Sequence, residues 1–312
     1  MQVGDEQNFR IDLAAGRFAL GLSGGADSVA LAWLASQAPG VELVLVHLNH
    51  ELRGEESDGD EEFVRKLAAR LRLPLIVEKR HALEKRTDDL PSNPSARYRA
   101  LRLALFRQVV RAYDLDGVLL AHHADDQAET VLIRLARGGG ILSLAGMERD
   151  CAIDGVRIIR PLLHLRSIQL REYLGARSEA WREDSSNQSV KYRRTLARKL
   201  LQSNPDLAGL LIELAARARA IAGDLDQLAP RLATKFACVE LDGIAPLLAR
   251  HAARRWLVQH GADANDVSPA VCERLTGQAT NPDSPPRSHY PGKIWVRRRK
   301  KQIEVVEEHK PN

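Results

Sequence analysis

The stretch Ser23-Gly24-Gly25-Ala26-Asp27-Ser28 constrains this chain more than any other. It lies between an apolar run, Phe18 to Leu22, and an apolar helical stretch, Val29 to Ala35, and so reads as strand, glycine loop, helix. Adjacent glycines let the backbone take dihedrals that a side chain forbids, so several N–H groups can turn toward one anion at a helix start. The loop holds no lysine and lacks the G-x-x-x-x-G-K-[ST] spacing, which excludes the phosphate cradle built around a lysine. What remains is a pyrophosphate grip, with the Ser23 and Ser28 hydroxyls donating and Asp27 available to Mg²⁺. The alternative is a tight strand-to-helix turn capped by Ser and Asp.

Downstream, strand-like runs at Val41–Val46, Leu75–Val77, Gly117–Ala121 and Val156–Ile159 alternate with helical stretches at Glu61–Leu71 and Ala96–Tyr113. This rhythm predicts an α/β fold, a doubly wound parallel sheet with helices on both faces. Ligands of such sheets bind outside the carboxyl ends of the strands. Ser23–Ser28, His47–Arg53 and His122–Asp126 each follow a strand end, so they are expected to converge on one crevice. His47 reads equally well as a hydrogen-bonded structural residue. The acidic run Glu55, Glu56, Asp58, Asp60 reads as a solvated loop entering a helix capped by Asp58 or Asp60. In the third segment Asp125 is placed to cap the next helix, and Asp126 and Glu129, three apart, share a face of its first turn. Two carboxylates there can hold an ammonium group or Mg²⁺, or simply suit the helix dipole. His122 and His123 are candidates for positioning or proton transfer, on opposite sides of a strand end.

At 312 residues the chain can bury a sizeable core, and two domains are expected. A net charge of +5 favours an anionic partner. The three cysteines form no C-x-x-C pattern, which argues against a disulfide framework or a zinc site and fits a reducing cytoplasm. No run reaches the ~20 apolar residues of a membrane span, and no signal peptide is expected. After Ser203-Asn204-Pro205-Asp206 the pattern changes. Helices are expected at Leu207–Thr234, Ile244–His260 and Ser268–Thr276, followed by a Pro-rich loop from Asn281 to Pro291. Lys293–Val296 and Gln302–Val306 then pair as a hairpin around Arg297-Arg298-Arg299-Lys300-Lys301. That basic hairpin is either a solvated turn or an RNA contact, to which His289, Lys293 and Trp295 would add stacking or phosphate contacts.

Ser-Gly-Gly-x-Asp-Ser after an N-terminal strand resembles the PP-loop ATP pyrophosphatases, which cleave ATP to AMP and pyrophosphate while adenylating a carbonyl oxygen. His47-Leu48-Asn49-His50-Glu51-Leu52-Arg53-Gly54-Glu55-Glu56-Ser57, His122-His123-Ala124-Asp125-Asp126-Gln127-Ala128-Glu129-Thr130, and Arg137-Gly138-Gly139-Gly140 with Leu144-Ala145-Gly146-Met147 look like the tRNA(Ile)-lysidine synthetase family. The late Trp181, Glu183 and Asp184 match that family's Trp-x-Glu-Asp-x-Ser-Asn element. The resemblance implies a Rossmann-like catalytic domain over 1–204 and a smaller, mainly helical, tRNA-binding domain over 205–312 that ends in the basic hairpin. It implies ligation of free L-lysine to C2 of the wobble cytidine of tRNA(Ile) with a CAU anticodon, with ATP and Mg²⁺, in the cytoplasm; a homodimer is left open. Carried onto this sequence, Ser23, Gly24, Gly25, Ala26, Asp27, Ser28, His47, Asn49 and His50 would bind ATP, with Asp27 on the metal. Asp27, Arg53, His123, Asp126 and Glu129 would be catalytic, with Asp126 and Glu129 holding lysine or metal. Arg137, Arg160, Arg193, Arg194, Arg198, Arg297, Arg298 and Arg299, with Lys191 and Lys199, would face the tRNA, and the segment from Arg137 to Met147 would act as a mobile lid. Two stretches depart from the pattern. Arg193-Arg194-Thr195-Leu196-Ala197 lacks the family's Asn and carries its second arginine, Arg198, one position late. Ala96-Arg97-Tyr98-Arg99-Ala100-Leu101 fits Ala-Arg-x-x-Arg-Tyr only in part. Readings of other kinds are a tRNA thiolase, which needs cysteines near its site, and a non-catalytic nucleotide- or RNA-binding module.

Overall fold

The strand, loop and helix around Ser23 form the middle of the first of two compact units in the computed structural model, which describes residues 9–183, 192–263 and 266–307. This unit takes in residues 1–138 and 145–215. Its elements run β1 (Gly16–Gly21), α1 (Ala26–Ser36), β2 (Val41–Asn49), α2 (Glu55–Leu71), β3 (Leu75–Lys79), α3 (Arg80–Glu84), α4 (Pro94–Ala112), β4 (Gly117–Leu119) and α5 (Ala124–Leu135). Then follow β5 (Asp150–Ile153), β6 (Val156–Ile159), α6 (Ser167–Ala176) and α7 (Tyr192–Ser203).

The sheet has the order β3-β2-β1-β4-β6-β5, with every pairing parallel except β5 against β6. Its strands are apolar on both sides, because helices cover both faces. On β1 and β2, Phe18, Leu20, Leu43 and Leu45 join α1, α2 and α6 in one buried cluster, while Ala19, Val44, Val46 and Leu48 join α3 and α4 in the other. The doubly wound parallel sheet is therefore as expected, and the antiparallel edge strand β5 is an addition. Its sequence, Asp-Cys-Ala-Ile, has only half-buried and exposed positions, so its apolar signal is weak.

One local reading is corrected. The run from Glu55 to Asp60 is not a loop: α2 begins at Glu55, after Gly54 with φ of 51°, and its first turn holds Glu55, Glu56 and Asp58, where acids suit the helix dipole. Between Gly140 and Met147 the chain closes a short 3-10 helix, Ile141–Ala145.

The second unit takes in residues 216–312 with 139–144, so the division falls inside α8 (Pro205–Leu228), and the expected limit at 204 coincides with the α7–α8 junction. It continues with β7 (Lys235–Ala237), α9 (Pro246–Gln259), α10 (Pro269–Thr280), β8 (Arg287–Tyr290), β9 (Ile294–Arg299) and β10 (Gln302–Val306). The expected hairpin is β9–β10, but it lies in the middle of a four-stranded antiparallel sheet, β7-β10-β9-β8. The stretch read as a Pro-rich loop contains β8, which starts directly after Pro285-Pro286 and is only four residues long. Trp256, Phe236, Tyr290, Ile294, Val296 and Ile303 fill the core of this unit. Among the described residues no helix is long and apolar enough to cross a membrane.

Gly146 shows how tightly the first unit is closed beside α5. It has φ of 74°, and the Gln127 side chain bonds both the N–H and the carbonyl of Met147 at 2.7 Å. An added methyl group would meet the buried Gln127 amide as well as strain the left-handed backbone. Gly146→Ala is expected to cost about 1–3 kcal/mol, seen in calorimetry as a melting temperature lower by roughly 3–10 °C; an unchanged melting temperature would refute this account of the turn.

Candidate active site

The strand order reverses between β1 and β4, so the crevice of this sheet opens at their carboxyl ends. From β1 the chain enters Ser23–Ser28, and from β4 it enters His122-His123 and α5. His123 Nε2 lies 3.4 Å from Asp27 Oδ2 and 3.4 Å from Asp126 Oδ2, while its Nδ1 lies 3.6 Å from Asp125. Two segments about a hundred residues apart in sequence thus meet across the crevice.

The glycine loop is held by its own hydroxyls. Ser28 Oγ donates to the Gly25 carbonyl at 2.9 Å, sits 3.1 Å from Ser23 Oγ and accepts from the Ser23 N–H at 3.2 Å. The first intrahelical bond of α1 is Val29 N–H to Gly25 at 3.0 Å, so the N–H groups of Ala26, Asp27 and Ser28 are the open helix start. Gly24 has φ of 91°, and its carbonyl accepts from the Arg182 N–H at 2.9 Å.

Beyond β2 the expected nucleotide residues serve several ends. His47 is buried and its Nδ1 is 2.8 Å from the Leu22 carbonyl; burial pushes its pKa down, against that bond. Asn49 is buried and donates to Glu61 at 2.9 Å and to Asp58 at 3.3 Å. His50 packs its ring 5.4 Å from that of Tyr98, and burial together with the nearby Arg102 guanidinium lowers its pKa to about 4. Arg53 pairs with Glu56 at 2.7 Å and Asp60 at 2.9 Å, both on its own helix start, so its described partners are carboxylates.

The start of α5 is built differently from the expectation. His123, not Asp125, is the capping residue: Asp126 reaches back to the His123 N–H at 3.1 Å, while Asp125 accepts from Arg166 Nε at 2.6 Å and the Ser167 N–H at 2.8 Å. Asp125 therefore anchors the start of α6 rather than its own helix. Glu129 and Asp126 do share a face, and arginines of α7 meet them. Arg194 Nε lies 2.8 Å from Glu129 and its Nη2 2.9 Å from Asp126, and Arg198 Nε lies 2.7 Å from Glu129. Both carboxylates are nearly inaccessible, at 7 % and 3 % exposure.

Charge follows from this packing. Burial alone would raise the Asp126 pKa, but His123, His122 and Arg194 outweigh it and hold the carboxyl below its usual range. Burial opposes protonation of His123, yet Asp27, Asp126 and Asp125 leave its pKa raised. His122, whose Nδ1 receives Arg160 Nε at 3.3 Å, is lowered to about 4, by burial first and against the pull of Asp126.

Of the expected RNA-facing arginines, Arg137 is exposed beyond α5, whereas Arg160 is buried and donates to the Glu148 carbonyl at 2.7 Å and Cys151 Sγ at 3.1 Å. Arg194 and Arg198 face α5. In the second unit, Arg297 pairs with Glu304 at 2.7 Å, and Arg298 is given over to the carbonyls of Gln278, Asn281, Pro282 and Ser284. Arg299 is exposed. Asp184, Lys191 and the side chain of Arg193 lie outside the described residues.

Sequence reasoning passed over Arg182, whose Nε pairs with Asp60 at 2.8 Å beside the glycine loop, and Ser167, whose Oγ donates to Asp27 at 3.2 Å. It also passed over Arg102. The nearest signals were the variable position of Trp-x-Glu for Arg182 and the helical spacing from Tyr98 for Arg102.

A family model described as the PP-loop domain matches residues 4–204. The chain belongs to the PP-loop domain family. The glycine loop Ser23–Ser28 lies within the matched residues. A protein named tRNA(Ile)-lysidine synthase from Solibacter usitatus is 36% identical over 298 residues, covering 90% of this chain and 65% of that one. One of the same name from Geobacter sulfurreducens is 40% identical over 223 residues, covering 69% and 46%. This chain thus spans about half to two thirds of the length of these relatives, by the 46% and 65% covered. Among solved structures, the U34-tRNA thiolase NcsA of Methanococcus maripaludis superposes with a TM-score of 0.53 at 19% identity, over 66% of this chain and 73% of that one, a likeness of fold.

His50 gives a test of the electrostatics around the glycine loop. Its folded pKa of about 4 lies below the ordinary 6.5, so the unfolded chain takes up a proton first as pH falls between those values, and stability drops through that window. His50→Gln should flatten the fall in unfolding free energy between pH 6.5 and 4 by up to about 1.4 kcal/mol per pH unit. Denaturant unfolding at stepped pH measures it, and an identical slope would show that His50 titrates normally.

Proposed function

We propose that this chain is an ATP-dependent ligase that joins lysine to C2 of the wobble cytidine of tRNA(Ile) carrying a CAU anticodon. The contact of Asp27 in the glycine loop with His123 across the crevice, with Asp126 on the other side of that imidazole, is the observation that carries the reading. The names of the relatives support the choice of substrate.

The cytidine O2 attacks the α-phosphorus of ATP and pyrophosphate leaves; the lysine amine then attacks C2, the C–O bond breaks, AMP departs and the nitrogen loses a proton. Open N–H groups at the start of α1 receive the phosphates, where the helix dipole favours negative charge. Burial opposes the protonated form of His123 but the carboxylates of Asp27, Asp126 and Asp125 favour it, and in that form it would set a cation beside the phosphates. Asp27 is 36 % exposed in its side chain, and no group of three or more possible ligands could hold a metal ion among the described residues. That suits Mg²⁺, which keeps its waters and binds through one or two carboxylates plus substrate phosphates. When bound it would neutralise pyrophosphate charge.

The lysine ammonium is assigned to Asp126 and Glu129. Their four oxygens receive Arg194 twice, Arg198 and the His123 N–H, and Asp126 Oδ2 also lies 3.4 Å from His123 Nε2, so the other three oxygens, with one donor each among the described residues, keep a second acceptor position. The exposed Arg137 and Arg299 are assigned to tRNA phosphates. A thiolase reading is less well supported, because Cys151 is the sole cysteine between residues 1 and 215.

Incubation with tRNA(Ile) transcript, ATP and labelled lysine should give label on the RNA together with AMP and pyrophosphate, and no RNA label would overturn the proposal. In the same assay Asp27→Ala should lower turnover roughly a hundredfold or more with a much smaller effect on melting temperature, since the partly exposed side chain loses one hydrogen bond, from Ser167, and its contact with His123. Glu129→Gln should raise the lysine KM roughly tenfold or more while leaving the ATP KM nearly unchanged. Equal effects on the two would assign this carboxylate to the metal.

A further inference from the structure

The four-stranded sheet of the second unit has two unlike faces. Ile294, Val296, Ile303 and Tyr290 point into its core. Alternation along β9 therefore sends Trp295, Arg297 and Arg299 to the other face and separates Arg298 from its neighbours. His289 on β8 is directly opposite Trp295, and Arg287 is opposite Arg297. The His289 ring lies 5.0 Å from the Trp295 ring, tilted to it, and the Arg287 guanidinium lies over the same ring, 5.0 Å from its centroid. On the other side Val306 of β10 is opposite Trp295, and Glu304 is opposite Arg297.

An indole on the outer face of a sheet, with an exposed arginine and an exposed histidine against it, contributes nothing to the core beneath. Its surroundings are strongly cationic. Arg287, Arg297, Arg299 and Lys235 lie there with the carboxylate of Glu304, which Arg297 and Lys235 share at 2.7 and 3.2 Å, and Arg287 spends one Nη donor on the Glu307 carbonyl at 3.0 Å, leaving its others to a phosphate. The turn from β9 to β10 adds Lys300 and Lys301, both exposed with positive φ. A flat aromatic surface ringed by guanidinium groups is the chemistry that takes unpaired nucleobases with their phosphates, and every base offers a π-face to it.

We propose that the outer face of this sheet binds single-stranded RNA by stacking a base on Trp295, with Arg287, Arg297 and Arg299 on the flanking phosphates. The choice of RNA rests on the function proposed above; the stacking geometry does not. Arg298 is excluded from this footprint, because its guanidinium holds the carbonyls that follow α10. Lys293 is excluded too, since it lies in the short 3-10 turn before β9.

The full chain would be titrated with a heptanucleotide of uridines, with the same strand lacking its bases, and with duplex RNA of equal length, following tryptophan fluorescence and anisotropy of a labelled strand. The uridine strand should bind tightest and quench fluorescence, the quench should vanish in Trp295→Phe, and Trp295→Ala should weaken binding roughly tenfold. Arg287→Ala, on an exposed edge position, should weaken it and lower the salt dependence. Equal affinity for the strand without bases, tighter binding of the duplex, equal binding of polyglutamate, or an unaltered Trp295→Ala protein with native melting would each overturn the proposal. Lysine incorporation is measured separately: loss of strand binding in Trp295→Ala alongside a wild type that transfers no lysine would leave the platform standing and remove the ligase reading.

Discussion

Two carboxylates buried in the first two turns of α5, Asp126 and Glu129, decide how the first unit closes. A buried charge without a partner costs several kcal/mol, so Asp126 and Glu129 need cations brought to them. Those cations come from two distant places, His123 at the end of the sheet and Arg194 with Arg198 on α7. A separate carboxylate, Asp125, fixes the start of α6 through Arg166 and the Ser167 N–H. The helix that follows β4 is thus tied to α6 and α7 by its acids as well as by its apolar face.

That arrangement depends on the sheet beneath it. Because β1 has β2 on one side and β4 on the other, the chain leaves the sheet in opposite directions on either side of the β1–β4 boundary, and a crevice follows from topology alone. The glycine loop needs the same place, since its open N–H groups require a helix start that no neighbouring strand covers. Ser167 then donates to Asp27, so the loop, α6 and α5 are linked through Asp27, Asp125 and His123.

Much of this was legible in the sequence. The glycine loop, the parallel strands and the pairing of Asp126 with Glu129 on one helix face all follow from local spacing, which a sequence displays directly. Side-chain partners joined across long separations do not. Arg160 and Arg298 are basic residues in basic-looking contexts, and nothing in their neighbourhood shows that the Glu148 carbonyl, Cys151 or the carbonyls after α10 will take their donors. Short strands were equally opaque: β5, β7 and β8 have three or four residues each, too few for alternation to stand out from a loop.

The displaced arginine of α7 shows how a departure from a motif can be resolved by helix geometry. Arg198 follows Arg194 by four positions, one turn of helix, so both side chains leave the same face and both reach Glu129. An arginine at position 197 would lie about 100° round the helix from Arg198, and Ala197 is in fact buried. The basic run was read as an RNA contact because its charge is concentrated, yet a helix sorts that charge by face. Arg194 and Arg198 direct their guanidinium groups to acids already buried although their side chains stay 44 % and 37 % exposed, while Lys199, one residue on, is exposed. Charge counted along a sequence therefore overstates what a helix offers to a polyanion, and the excess is what holds α5 and α7 together.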